Sequence, residues 1–264
     1  VRLGRVAGVS FMTRNIKLVL EYDGAPFFGF QKQPGKPTVQ QALEHALSRF
    51  FNQPMKISAA SGRTDTGVHA ENQVVNFRTA SDRDPGLIRK GLNAHLPPHI
   101  VVKSVEEVSP DFHSRYDAKS KIYEYRVWNA PFRSPLLNAR VFHVPFRLNL
   151  PEIRKAARRL VGRHDFSSFT SGSALSGGLG KKKGGRVRTV KKISIQKKGD
   201  LLIFQVEADG FLYHMVRNIV GTLLEVGRGK RRPEEMAKIL RAKSRRFSGS
   251  TAPAKGLTLR QVIY

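Results

Sequence analysis

The segment Ser61-Gly62-Arg63-Thr64-Asp65-Thr66-Gly67-Val68-His69-Ala70 places a carboxylate and a guanidinium two residues apart between two glycines. Gly62 and Gly67 permit tight or left-handed turns, which would present Arg63 and Asp65 at the edge of a sheet. A carboxylate beside a guanidinium is favoured in its charged, nucleophilic form. The same residues also suit a plain Asx turn in which Asp65 only accepts backbone N–H bonds, the commoner use of Asp in loops. A second cluster is Phe112-His113-Ser114-Arg115-Tyr116, followed by Lys119, Lys121, Tyr123, Tyr125, Arg126 and Trp128. Aromatic rings stack on bases while Lys and Arg hold phosphates, so this interleaving suits extruded or single-stranded nucleotides; the tyrosines would equally serve as core residues with a polar tip. In a third run, from Ala208 to Asn218, Arg217 is flanked by the apolar face of a helix. A buried arginine there needs an anionic partner such as Asp65, unless it snorkels to solvent.

Positioning these groups requires a mixed fold. Ile16, Leu18 and Leu20 alternate with Lys17 and Glu21, which predicts a strand; Val39, Leu43, Ala46, Leu47 and Phe50 recur at helical spacing behind Thr38 as N-cap. Strands are expected over 56–60, 73–78 and 100–108, with a helix over 85–96, giving the order β-α-β-β-α-β. The second half repeats the scheme, with strands over 121–128, 187–196, 201–208 and 257–264 and helices over 151–162, from about 212, and over 234–242. The expectation is an α+β protein of two tandem ferredoxin-like (βαββαβ-type) units, whose antiparallel sheets form a central RNA-binding cleft. Residues 1–14 are a disordered or extended leader, 15–116 an N-terminal α/β unit carrying the Asp65 loop, and 117–264 a C-terminal α/β unit. Within the latter, 171–185 is a Gly- and Ser-rich basic loop whose Lys181, Lys182 and Lys183 are candidate RNA contacts.

Composition narrows the partners. The formal net charge is +27, and 29 of the 47 Lys and Arg, but only 8 of the 20 Asp and Glu, follow residue 132. Such self-repulsion is relieved by a polyanion, and nucleic acid rewards it through counterion release. The chain has no cysteine, which excludes disulfides and thiolate chemistry. No apolar run of about eighteen residues is present, so no membrane partner is expected and the protein reads as cytoplasmic. Phosphate-binding, dinucleotide and esterase-elbow motifs are missing, and Pro97 and Pro98 break the helix that would align His95 and His99 on a metal.

The segment Arg63-Thr64-Asp65-Thr66-Gly67-Val68-His69-Ala70 resembles the catalytic signature of the tRNA pseudouridine synthase A family. Phe28-Gly29-Phe30-Gln31 with Thr38-Val39-Gln40, the stretches 112–125 and 211–218, and the end from Gly256 to Tyr264 are similar to it in the same order. The resemblance spans 15–264. It implies that Asp65 is the nucleophile, Tyr123 the aromatic under the target base, and Arg217 the ion-pair partner of Asp65. It further implies that Arg63 helps displace the target nucleotide and that Phe112, His113, Ser114, Arg115 and Tyr116 contact tRNA. The implied reaction converts uridine to pseudouridine at positions 38, 39 and 40 of the anticodon stem-loop, in a homodimer, with no cofactor and no metal. Phe30 and Thr66 stand where the family often has Trp and Ala. Two rivals remain from the residues alone: a non-catalytic RNA-binding or ribosome-associated protein, and a metal-dependent nuclease using Asp23, Asp65 and nearby histidines.

Overall fold

The strand β1 (Arg14–Tyr22) sends Ile16, Leu18 and Leu20 into the core, while Lys17 and Glu21 on the other face pair with Glu106 and Lys103. The computed structural model describes residues 13–171 and 185–264. Helix α1 (Val39–Phe51) begins where Thr38 Oγ1 accepts the N–H of Gln41 at 3.3 Å and buries Val39, Leu43, Ala46, Leu47 and Phe51. Strand β2 (Ala59–Ala60) is shorter than the expected 56–60, because the Met55 N–H is tied to Ser48 Oγ of α1 at 2.9 Å and the chain reaches the sheet late. Strand β3 (His69–Thr79) starts earlier than expected, directly after the Asp65 loop. Helix α2 (Pro85–His95) is capped by Asp84, and β4 (Ile100–Val108) completes the first half.

The second half runs β5 (Ser120–Trp128), β6 (Phe142–His143), α3 (Leu150–Arg158), β7 (Gly162–Asp165), β8 (Val187–Lys198), β9 (Leu201–Ala208), α4 (Met215–Gly227), α5 (Glu235–Ala242) and β10 (Leu257–Ile263). Helix α3 stops four residues before the expected end at 162, where Gly162 takes φ +114° and opens the edge strand β7. Strands β6 and β7 carry too few residues to show a period in sequence.

The α+β class holds, but the two expected sheets are one. Among the described residues ten strands form a continuous sheet in the order β4-β1-β3-β10-β5-β9-β8-β7, with β2 on β3 and β6 on β5. Neighbours are antiparallel except β3 with β10 and β5 with β6. The halves join where His69 and Ala70 of β3 pair with Thr258 and Leu259 of β10. Cross-strand partners therefore align Tyr22, Ala70, Leu259, Tyr123 and Val206 in one row spanning both halves. Directly opposed residues share a face, so this row sets Tyr22 and Tyr123 on the same side of the sheet.

The segment entering β10 is clamped. Gly249 N–H donates to Thr222 Oγ1, Ala252 N–H to the Arg217 carbonyl, and Tyr125 Oη–H to the Pro253 carbonyl. This close approach depends on Gly221 of α4, where an added Cβ would lie 1.7 Å from the Ser250 carbonyl oxygen. Gly221→Ala is expected to destabilise the fold by about 1–3 kcal/mol, the usual range for overpacking a tight contact. Urea unfolding checks this, and an unchanged midpoint would show that the segment yields without loss.

Candidate active site

The loop between β2 and β3 rests on the chain that follows β1. Phe30 N–H donates to the Thr64 carbonyl at 3.0 Å, and Gly67 N–H to the Phe27 carbonyl at 3.3 Å. Gly24 and Gly29 make the approach possible: an added Cβ would meet Val68 O at 2.0 Å and Thr64 O at 2.8 Å respectively. Tyr22 Oη and Thr64 Oγ1, 2.8 Å apart, fix the loop to β1 from the buried side. The turn itself closes through the Asp65 carbonyl, which accepts the Val68 N–H at 3.1 Å with Gly67 at φ +75°. Its backbone makes the turn, and the carboxylate is left for other partners.

Those partners come from the far half. Asp65 Oδ2 lies 3.2 Å from Arg217 Nη1 and 3.5 Å from His214 Nε2, with the Asp65 side chain 19% exposed. Arg217, in the first turn of α4, is itself held by donation from Nε to the Ala252 carbonyl at 2.8 Å. The clamped 249–253 segment thus aims the guanidinium. Tyr123 on β5 is buried, its ring edge-on to Phe211 at a centroid distance of 5.0 Å. Burial pushes its phenol well above the ordinary range, and the nearby Tyr22 and Asp65 add to that effect. The Tyr123 hydroxyl lies 4.0 Å from the position of a Cβ added at Gly62, which sets the aromatic ring beside the Asp65 loop. The neighbouring Lys121 Nζ donates to the Ser61 carbonyl.

Arg63 is exposed at the same loop, and its pKa is lowered by partial burial and then by repulsion from Arg115. Neither guanidinium has a carboxylate partner among the described residues. Such a pair suits a phosphate. In the 112–116 turn, the His113 ring lies against Tyr116 at 4.2 Å, Arg115 stands 5.8 Å over Tyr116, and Phe112 packs on Tyr264 at 5.1 Å. Tyr116 is 62% exposed. Ser114 is fully buried, with its N–H on Asn76 Oδ1 and its carbonyl accepting from Tyr264 Oη, so its side chain lies beneath the surface that RNA would touch. Tyr125 belongs to the core. Lys181, Lys182 and Lys183 lie outside the described residues. Asp23 pairs with His69 at 3.0 Å and Arg140 at 3.3 Å, apart from the Asp65 cluster.

The structure thus brings Asp65, Arg217 and Tyr123 together and adds His214, which sequence reasoning did not single out. His214 is the N-cap of α4 at φ +61°, stacked on Tyr213 at 3.7 Å. Its only sequence signal was its place three residues before Arg217; a positive φ at a non-glycine cannot be read from residue type. Burial lowers the His214 pKa, Asp65 pulls it back up, and Arg217 and Arg245 lower it further. In an NMR titration, His214 is expected to protonate below the ordinary histidine value, and lower still in Asp65→Asn, which removes the one raising influence. A midpoint at or above the ordinary value would contradict this electrostatic picture.

A family model described as tRNA pseudouridine synthase matches residues 18–117 and 156–264. The chain is 45% identical over 253 residues to tRNA pseudouridine synthase A of Geobacillus sp. strain WCH70, covering 96% of this chain and 99% of that protein. It is 43% identical over 251 residues to the protein of that name from Acetivibrio thermocellus, covering 95% and 100%. With the one from Geobacillus kaustophilus it shares 44% identity over 253 residues, covering 96% and 95%.

Proposed function

The chain belongs to the tRNA pseudouridine synthase family, and from that membership we propose that it isomerises uridine to pseudouridine at positions 38, 39 and 40 of the tRNA anticodon stem-loop, with Asp65 as nucleophile. The observation that carries this is the Asp65 carboxylate itself: partly exposed, free of any turn-making role, and matched by a guanidinium drawn from 152 residues away. The reaction breaks the C1′–N1 bond, turns the uracil and joins C1′ to C5; C5 loses a proton and N1 gains one, so composition is unchanged. Asp65 can attack C1′ to release the base or add to C6 to carry it through the turn, and both routes use a carboxylate anion with Arg217 as counter-ion. The uncharged Tyr123 ring gives the detached uracil a flat apolar floor.

The target must leave its stack, at a cost of about a few kcal/mol. Arg63 and Arg115, close enough to repel one another, would take backbone phosphate, and the exposed Tyr116 with its His113 and Arg115 neighbours would offer a stacking surface. Phe112 and Ser114 support that turn from below, Ser114 through its backbone. Lys181, Lys182 and Lys183 are further RNA contacts on the ground of their charge in the sequence alone. The formal reduction of C1′ is balanced by the oxidation of C5 and no water is consumed, so the chemistry calls for no cofactor. The strand order β4-β1-β3-β2, matched by β10-β5-β9-β8, supports reading the sheet as two ferredoxin-like units over 15–116 and 117–264, with the RNA cleft at their junction and 1–14 as a leader. By likeness to the family the enzyme works in the cytoplasm as a homodimer. Among the described residues no helix is long and apolar enough to cross a membrane.

Incubation with tRNA transcript carrying tritium at uracil C5, without added metal, tests the reading. Tritium release is expected from the native protein and none from Asp65→Asn, whose tRNA affinity stays within about tenfold because phosphate contacts dominate binding. Retention of tRNA without release by the native protein would leave only an RNA-binding protein. Replacing Lys181, Lys182 and Lys183 by Ala should flatten the dependence of log K on log salt by up to about 3, roughly one per phosphate contact. An unchanged slope would remove that loop from the interface.

A further inference from the structure

One oxygen of Asp65 is shared and the other is not. Arg217 and His214 both approach Oδ2, at 3.2 and 3.5 Å, while Oδ1 has no hydrogen-bond or ion-pair partner among the described residues. A carboxylate held through one oxygen leaves the other free to react.

The way His214 reaches that oxygen is unusual for a helix N-cap. Its backbone is left-handed, a conformation strained for histidine, and its side chain makes no capping hydrogen bond in return. Strain without a capping gain points to another use for the ring. Stacking on Tyr213 fixes the plane of the imidazole, and the Tyr213 carbonyl is held in turn by Thr170 Oγ1 at 3.1 Å and the Ser171 N–H at 3.3 Å. The charged groups facing the ring are Asp65 from the β2–β3 loop, Arg217 from α4, and Arg245 from the turn after α5. Burial first, and then the two arginines, disfavour the charged imidazole against the pull of Asp65, and a neutral ring offers one N–H. At 3.5 Å the ring nitrogen stands just outside hydrogen-bond length of Oδ2, close enough for a small movement of either side chain to complete the bond.

We propose that His214 is a positioning residue: its Nε2–H holds Oδ2 of Asp65 together with Arg217 and leaves Oδ1 as the attacking oxygen. The proposal rests on Asp65 being the nucleophile, and its test separates the two ideas. His214→Phe keeps an aromatic ring on Tyr213 but removes the donor, His214→Gln retains an N–H of similar reach, and His214→Gly relieves the backbone strain while deleting the ring.

In the tritium-release assay with the full chain, His214→Phe and His214→Gly should lose kcat by roughly tenfold to a hundredfold with KM within about threefold, the pattern of a lost transition-state alignment rather than lost binding. His214→Gln should recover to within about fivefold of the native kcat, and added imidazole should raise kcat of His214→Gly but not of the native protein. Native kcat in His214→Gly, or equal losses in the Phe and Gln variants with no response to imidazole, would overturn the proposal and make the ring a packing element. Asp65→Asn is run alongside: if it is silent while the His214 variants are fully active, only this proposal falls, whereas normal turnover in Asp65→Asn removes the nucleophile and the proposal together.

Discussion

A carboxylate from the β2–β3 loop meets a guanidinium from the start of α4, and most of the architecture between them exists in a form that brings the two within 3.2 Å. Both side chains are largely withdrawn from water, 19% and 14% exposed. An ion pair in that setting is sensitive to geometry, because each charge has given up solvation that only a well-placed partner can offset. Neither group can be placed by local structure: Asp65 is set by the chain after β1, and Arg217 by the segment before β10. The pair therefore reports on the continuity of the sheet. Pairing of β3 with β10 joins the halves, and the row from Tyr22 through Ala70 and Leu259 to Tyr123 fixes how far apart their functional residues stand.

Close backbone approach is the means by which this precision is reached. Gly24 and Gly29 let the Asp65 loop lie directly on the strand exit, and Gly221 and Gly256 let the 249–256 segment settle between α4 and Tyr125. An added Cβ at Gly256 would stand 2.7 Å from the Tyr125 ring. Asn218 extends the same logic below the site, donating to the Phe169 carbonyl and accepting from Thr251 and Arg245. Arg245 is thereby both a structural tie and one of the charges that, with burial, lower the His214 pKa. The stability of the clamp and the electrostatics of the site are consequences of the same contacts.

Much of this was legible in the chain. Period-two and period-3.6 patterns gave most of the strands and helices, because long amphipathic elements advertise their buried face. The pairing of Asp65 with Arg217 was implied by the family resemblance and is present at 3.2 Å; chemistry alone left a snorkelling arginine equally open, because a flanking apolar face does not say whether the guanidinium reaches solvent. What escaped were features whose determinants are not local. The fusion of two sheets into one depends on two residue pairs between β3 and β10, which leave no period in either strand. Burial of Ser114 follows from Asn76 and Tyr264, residues 38 and 150 positions away. The left-handed backbone of His214 is imposed by the packing of Tyr213 and α4, against the preference of the residue itself.

The excess positive charge serves a different end from the site it surrounds. Lys and Arg on a surface gather and orient a polyanion over long range, whereas in the proposed reaction the choice of reacting atom falls to the Asp65 carboxylate with Arg217 as its counter-ion. Loss of the guanidinium should thus cripple the chemical step and leave RNA capture nearly intact. The most direct test is the single-turnover rate of tritium release by Arg217→Ala at saturating tRNA, with and without added guanidinium ion. The account predicts a fall of at least about a hundredfold, the scale set by removing one preorganised electrostatic partner, with partial recovery when guanidinium is supplied. A rate near that of the native protein would contradict it.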